Sequence, residues 1–219
     1  MSTTAPRRYR SPRRAESAAQ TRHAILDAAR VLFVNQGYVA TTIDQIADRA
    51  GVSKPTVFAS VGNKRDIIKE LRDLAIAGDE DPVPLAQRPW FKEALEEPDP
   101  ARSVDLHART TVRLHQSAAD LAEVLRTGAG ADEELRQLWQ TAEHERRADA
   151  ATFIDALLSK GPLRAGLGRE AAIDIVWVLT SADSFQRLVR ARRWSTRRYE
   201  QWLAQTFRQQ LLPSNDKLS

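Results

Sequence analysis

The sequence predicts an all-α protein, with a small N-terminal helical domain followed by a larger C-terminal one. Three observations carry that expectation. Between its glycine and proline breaks the chain repeats apolar residues at intervals of three and four, the period of a helix with one buried face. No stretch combines period-two alternation with hairpin turn residues, so strands are not expected. Ser, Thr, Asn or Asp stands at the head of most periodic segments, where a side-chain oxygen can satisfy the free N–H groups of a first helical turn. Hydrophobic residues make up 42% of the 219, enough to fill a core and too many for a disordered chain.

Residues 1–16 mix Arg with Ser, Thr and Pro and lack periodicity, which reads as a flexible arm. Arg7, Arg8, Arg10, Arg13 and Arg14 against Glu16 leave +4 there, equal to the formal charge of the whole chain. The rest of the sequence therefore sums to zero. Such an arm is either a solvated terminus or a source of attraction for phosphates and an adjacent minor groove.

The periodic part begins at Ser17, where Ser17 and Gln20 suggest a capping box; Ile25, Ala28, Ala29, Leu32 and Phe33 then share one face, and Gly37 ends the helix. Thr42 with Gln45 forms the next box, ahead of Ile43, Ile46, Ala47 and Ala50. Gly51 falls where a left-handed residue closes a helix at little steric cost. Ser53 caps the following helix, and Pro55 in its first turn loses no intrahelical hydrogen bond. Two short helices around a tight glycine turn predict a helix-turn-helix. In that arrangement Lys54, Pro55 and Thr56 are presented to the major groove of DNA, where a lysine can donate to guanine O6 and N7. Asn63 caps a fourth helix with Ile67, Ile68, Leu71, Leu74 and Ala75 on its apolar face, broken by Gly78 and residues 79–84. Lys64 and Arg65 at its start read as phosphate partners. The expected division is a DNA-binding domain over 17–66, a ligand-binding and dimerisation domain over 67–212, a linking helix over 63–77, and a tail over 213–219.

In the second domain the periodicity predicts helices over 84–97, 101–126 (with a bend near Gln116 and Ser117), 132–159, 169–193 and 196–212, with a loop over 161–168. His107 and His115 share a face with Val104, Ala108, Thr111 and Leu114, the mixture of apolar wall and few polar groups that lines a small-molecule pocket. Trp90, Phe91, Trp139, Phe153, Trp177 and Phe185 are the other pocket candidates, although for any one of them core packing is the more common role. Ile175, Val178 and Leu179 belong to a helix that is apolar on more than one side, and Trp202, Leu203 and Phe207 line the last helix. Together they predict a four-helix dimer face with a two-fold mate, the alternative being burial within one subunit.

Other chemistry finds little support. The chain has no cysteine, hence no disulfide or thiolate metal site, and a reducing cytoplasmic setting is expected. There is no apolar h-region after the basic start and no apolar run of about 20 residues, so neither a secretory signal nor a membrane span is expected. His144-Glu145 is followed by Arg146-Arg147-Ala148 rather than completing HExxH, Gly166 and Gly168 lack a third glycine, and no Walker A or GxSxG sequence is present. Catalysis, a metal and a cofactor are not expected. A ligand-independent DNA-binding regulator or activator, and an enzyme or helical interaction module carrying a helix-turn-helix, stay open as alternatives.

Residues 20–65 resemble the DNA-binding domain of the TetR family of bacterial transcriptional repressors. The resemblance is carried by Thr21-Arg22, Ile25-Leu26-Asp27-Ala28-Ala29, Leu32-Phe33, Gly37-Tyr38, Ala40-Thr41-Thr42-Ile43, Ile46-Ala47, Ala50-Gly51-Val52-Ser53, Thr56-Val57 and Lys64. It implies a homodimer on a palindromic double-stranded operator, released when a small apolar or amphipathic molecule enters the second domain. It also implies base or phosphate contacts for Lys54 and Thr56, a thymine contact for Pro55, and phosphate contacts for Thr42 and Lys64. Three positions depart or conflict. Phe58 replaces a tyrosine whose phenol often meets a phosphate, leaving that contact to Ser60, Lys64 or the arm. Val61 replaces a common Phe, and Asp44 stands near the DNA face, where it weakens binding unless it accepts from a cytosine amine.

Overall fold

The computed structural model describes residues 12–78 and 88–213, with the side chains of 12–15 excepted. Among these residues the ordered elements are helices, with no strand. The chain divides between Leu71 and Arg72 into two compact units.

The first unit contains α1 (Pro12–Ala40), α2 (Ile43–Ala50), α3 (Lys54–Ser60) and the first half of α4 (Lys64–Ala77). Helix α1 begins at Pro12, so residues 12–16, read from sequence as arm, are helical, and residues 1–11 lie outside the described residues. Proline suits the first position of a helix, and Arg, Arg, Ala and Glu follow, all strong helix formers needing no buried face. The expected Ser17–Gln20 box does not form, because Ser17 is already inside the helix and its carbonyl accepts from the Thr21 hydroxyl at 2.9 Å. Gly37, with φ 82 and ψ 165, interrupts α1 where the sequence places a break; only glycine adopts that conformation at low cost. Ile25, Ala29, Phe33, Ile46, Val57, Ile67 and Ile68, drawn from all four helices, are fully buried. Each large aliphatic or aromatic side chain among them contributes about 1.5–3 kcal/mol by leaving water.

The second unit contains the rest of α4, then α5 (Pro89–Glu96), α6 (Pro100–Gly128), α7 (Glu133–Leu158), α8 (Arg169–Leu179), a short α9 (Ala182–Phe185) continued by a π-helical segment (Gln186–Ala191), and α10 (Thr196–Leu211). The first residues of the expected 84–97 helix fall outside the described residues. Helix α6 runs unbroken past Gln116 and Ser117, against the expected bend: the Ser117 hydroxyl donates to Leu114 O at 3.1 Å and Ala75 O at 2.7 Å, and the backbone stays helical. The segment expected as one helix over 169–193 is split instead. The Thr180 hydroxyl bonds back to Val176 O at 2.9 Å, and Ser181 caps α9 by accepting from Asp183 N at 3.2 Å. Adjacent hydroxyl residues that compete with the helical backbone end α8 there.

The core of this unit joins Val104, Ala108 and Val112 of α6, Phe153 and Ile154 of α7, Ile173 and Val176 of α8, and Tyr199, Leu203 and Phe207 of α10. Leu203 and Phe207 were expected at a dimer face. At 0% exposure they are interior residues and offer no surface to a second copy. Val178, in contrast, is 57% exposed, with Ile175, Leu179 and Trp202 half-buried.

Candidate nucleic-acid interface and cavity

In the first unit, local chemistry fixes α3 tightly. Thr42 and Gln45 form the reciprocal box, with Thr42 N donating to Gln45 Oε1 at 2.9 Å and Gln45 N to Thr42 Oγ1 at 3.2 Å. Gly51 closes α2 in the left-handed region at φ 68, and its N–H returns to Asp48 O at 3.2 Å. Ser53 then caps α3, taking Thr56 N at 3.3 Å, with Pro55 in the first turn. Val57 anchors the helix in the core, while Lys54, Pro55, Phe58 and Ala59 are exposed. A seven-residue helix seated by one buried valine and capped by its own side chains presents its outer face as a rigid surface.

The charges on that face are already partly engaged. Lys54 Nζ lies 3.0 Å from Asp44 Oδ2, so α3 and α2 share an ion pair; both side chains are more than half exposed. Asp44 thus has a partner in Lys54 without any DNA. Lys64, an expected phosphate partner, is anchored within the unit. Its ammonium donates to Tyr38 O at 2.9 Å and Thr41 O at 3.0 Å and lies 4.1 Å over the Tyr38 ring, pinning the α1–α2 connection to the start of α4. Arg65, next to it, makes no side-chain hydrogen bond or ion pair among the described residues. Its backbone N–H donates to Asn63 Oδ1 at 2.8 Å, part of the α4 cap. Thr42 and Ser53 are exposed and serve as caps, Thr56 is half-buried with its hydroxyl 2.7 Å from Ser53 Oγ, and the Ser60 carbonyl accepts from Arg22. Phe58 is 48% exposed, an aromatic ring on the outer face beside Lys54, Pro55 and Ala59.

In the second unit the described residues enclose a cavity of about 630 Å3. Phe91, His107, Thr111, Leu114, His115 and Trp139 line it, among the candidates chosen from sequence. Trp90, Phe153, Trp177 and Phe185 do not. Phe153 stacks on the His107 ring at 3.8 Å, Phe185 lies 5.3 Å from the His115 ring, and Arg146 covers Trp177 at 5.2 Å. Those aromatics build the wall behind the lining. Sequence reasoning missed the charged lining, which includes Arg72 and Asp73 of α4, the buried Arg88, and Glu143, Glu145, Arg146 and Asp149 of α7, because charged helix positions read as solvated ones.

Both histidines are buried and kept neutral. Burial lowers the pKa of His107 to about 3 and that of His115 to about 4, the latter against an opposing hydrogen bond to the Thr180 carbonyl and with a minor contribution from Arg146. The Thr180 carbonyl, 3.1 Å from His115 Nε2, can only accept, so Nε2 carries the proton and Nδ1 remains a lone-pair acceptor. His115 Nδ1 and His107 Nε2 are both buried and without a partner among the described residues.

Residues 25–71 match the family model described as bacterial regulatory proteins, tetR family. The chain is 31% identical over 159 residues to the uncharacterized HTH-type transcriptional regulator YdeS of Bacillus subtilis (strain 168), covering 72% of this chain and 74% of that protein. In fold it is similar to NalD, the secondary repressor of the MexAB-OprM multidrug efflux pump in Pseudomonas aeruginosa, with a TM-score of 0.66, 24% identity, and coverage of 92% of this chain and 99% of the other. It is also similar to SmeT, seen in complex with triclosan, at a TM-score of 0.68 and 16% identity over 89% of this chain and 93% of that one. No helix among the described residues is long and apolar enough to cross a membrane.

Proposed function

The chain belongs to the TetR family of bacterial regulatory proteins and is a transcriptional regulator; from that premise we propose that it is a cytoplasmic, non-enzymatic repressor that binds a palindromic operator as a homodimer and is released by a small molecule. The single observation that carries the reading is α4. This helix begins at the exit of α3, and its residues Arg72, Asp73, Ile76 and Ala77 line the cavity. The same helix therefore runs from the first unit to the ligand site by covalent continuity. A ligand that prefers one tilt of α4 changes the spacing of the two recognition helices, which must be about 34–36 Å apart to enter successive major grooves. Only its differential affinity for the two tilts drives release.

On DNA, Lys54, Pro55 and Thr56 meet base edges, with Asp44 competing for Lys54. Arg65 takes the phosphate role, together with the caps Thr42 and Ser53 at helix N-termini. Lys64 and Ser60 contribute by holding the unit in shape, and Phe58 by apolar contact. The second copy covers Ile175, Val178, Leu179 and Trp202. NalD is a repressor and SmeT binds a small molecule, which supports the same division of labour here.

Fluorescence anisotropy on an operator selected from random DNA tests the reading. Arg65→Ala is expected to weaken binding to every sequence and reduce the salt slope by about one. Compounds found by thermal shift on the same protein must then lower operator affinity. A compound that fills the cavity tightly and leaves operator affinity unchanged removes the switch from the proposal.

A further inference from the structure

The acidic side chains around the cavity differ in one respect. Glu123 lies 2.7 Å from Arg126, Glu143 lies 2.6 Å from Arg146, and Asp183 lies 2.8 Å from Arg187. Glu145 is paired with Arg72, which Asp73 also approaches at 3.8 Å. Asp149 has no hydrogen bond and no cation among the described residues, although it lines the same cavity from the middle of α7. A carboxylate in a mostly apolar cleft without a counter-ion is a cost that folding does not explain.

From this arrangement we propose that the cavity takes lipophilic monocations and that Asp149 is their counter-ion. The proposal rests on the reading of the cavity as the effector site and supplies the chemical class of that effector. The volume, about 630 Å3, lies within the range of drug-sized ligand sites. Phe91, Trp139 and Leu114 give an apolar wall on which a weakly hydrated cation gains both burial and attraction to the aromatic faces. Arg72, Arg126 and Arg146 at the wall are each paired with a carboxylate, the two histidines carry no charge, and Arg88 also lines the cavity; among the lining carboxylates Asp149 is left without a paired cation among the described residues. Burial, first, and the Glu145 carboxylate, second, raise the Asp149 pKa to about 6, as befits an anion that lacks a neighbouring cation. At neutral pH it is largely ionised. A doubly charged or strongly hydrated cation is disfavoured, since one carboxylate cannot offset its dehydration.

Tetraphenylphosphonium, its isosteric anion tetraphenylborate and the neutral triphenylphosphine oxide isolate charge from shape. Binding to the full chain is followed by quenching of tryptophan fluorescence and by calorimetry, with wild type, Asp149→Asn and Asp149→Glu. Tetraphenylphosphonium is expected to bind wild type and the Glu variant, and to bind the Asn variant at least about tenfold more weakly, a factor equal to one pKa unit of interaction. Triphenylphosphine oxide should not distinguish the three proteins, which also establishes that the Asn variant is folded. Equal binding of the cation to wild type and Asp149→Asn, or preference for tetraphenylborate, overturns the proposal. Operator anisotropy keeps the two readings separable. Asp149-dependent cation binding that leaves operator affinity untouched upholds the counter-ion and sinks the switch. Operator release by the neutral or anionic probe alone upholds the switch and sinks the counter-ion.

Discussion

Lys54 and Asp44 show how a single residue can have a role before DNA arrives. Their exposed pair at 3.0 Å is worth no more than about 1 kcal/mol, so it orients Lys54 without holding it from a base. Asp44→Asn removes a negative charge from the reading face and releases Lys54. Anisotropy should show a gain in affinity for operator and random DNA alike, with a smaller difference between the two; unchanged affinity for both would show that Asp44 lies off the interface. His107 and His115 act at the same scale on stability. Their folded pKa values, about 3 and about 4, lie below the ordinary 6.5, so the unfolded chain takes up protons first as pH falls. The stability they contribute is complete above pH 6.5 and is lost as the pH drops from there toward 4. Asp149 opposes this, because its raised pKa makes the folded state take up a proton between about 6 and 3.8. Two deeply buried histidines outweigh one half-buried carboxylate, so urea midpoints of the second unit should fall between pH 6.5 and 4. A His115→Asn variant should flatten part of that slope, and a midpoint that is flat in wild type contradicts the assignment. The sequence made His107 and His115 visible because polar residues on an apolar face stand out. Asp149 was hidden among the charges of α7, since exposure is decided by partners distant in sequence.

Elements were legible wherever a local rule decides them. The Thr42–Gln45 box, Gly51 and Ser53 set the boundaries of α2 and α3 through contacts a few residues apart, and the structure has them where the sequence places them. Where several local outcomes are close in energy, the reading failed. The hydroxyls of Thr180 and Ser181 end α8, whereas that of Ser117 leaves α6 whole, and only the surrounding packing separates these cases. Helix propensity carried α1 back to Pro12. One glycine links the elements of the first unit with particular force. Gly62, at φ 113, sits before α4, and a Cβ there would collide with the Asp66 carboxylate that caps Asn63 N at 2.9 Å. Gly62→Ala therefore strains the backbone and breaks the cap together. Chemical denaturation should show the first unit destabilised by more than about 1 kcal/mol. A change below that would mean the α3–α4 turn relaxes freely.

At the scale of the molecule, the two units answer to different parts of the sequence. The first is compact and locally determined, and 45 residues of pattern were enough to recognise it. The second is held by long-range packing of α6 against α7 and α10 and of α8 against α7 and α10, which leaves only periodicity in the sequence. That is why its helices were foreseen but only a minor part of its cavity lining was. Its open side is α8, where Val178 is 57% exposed beside Ile175 and Leu179. Val178→Asp places a charge on the proposed two-fold face. Sedimentation of that variant should show a monomer with weakened operator binding and unchanged helicity; an undisturbed dimer moves the interface elsewhere. The account as a whole rests on a pair of α3 helices reading DNA, and selection of binding sites from random duplex DNA tests it most directly. Wild type should enrich a palindrome whose half-sites are about 10 base pairs apart centre to centre, or a multiple of that, and Lys54→Ala should relax the preference at one position in each half-site. Enrichment of no palindrome, or the same sequence enriched equally by Lys54→Ala, would contradict it.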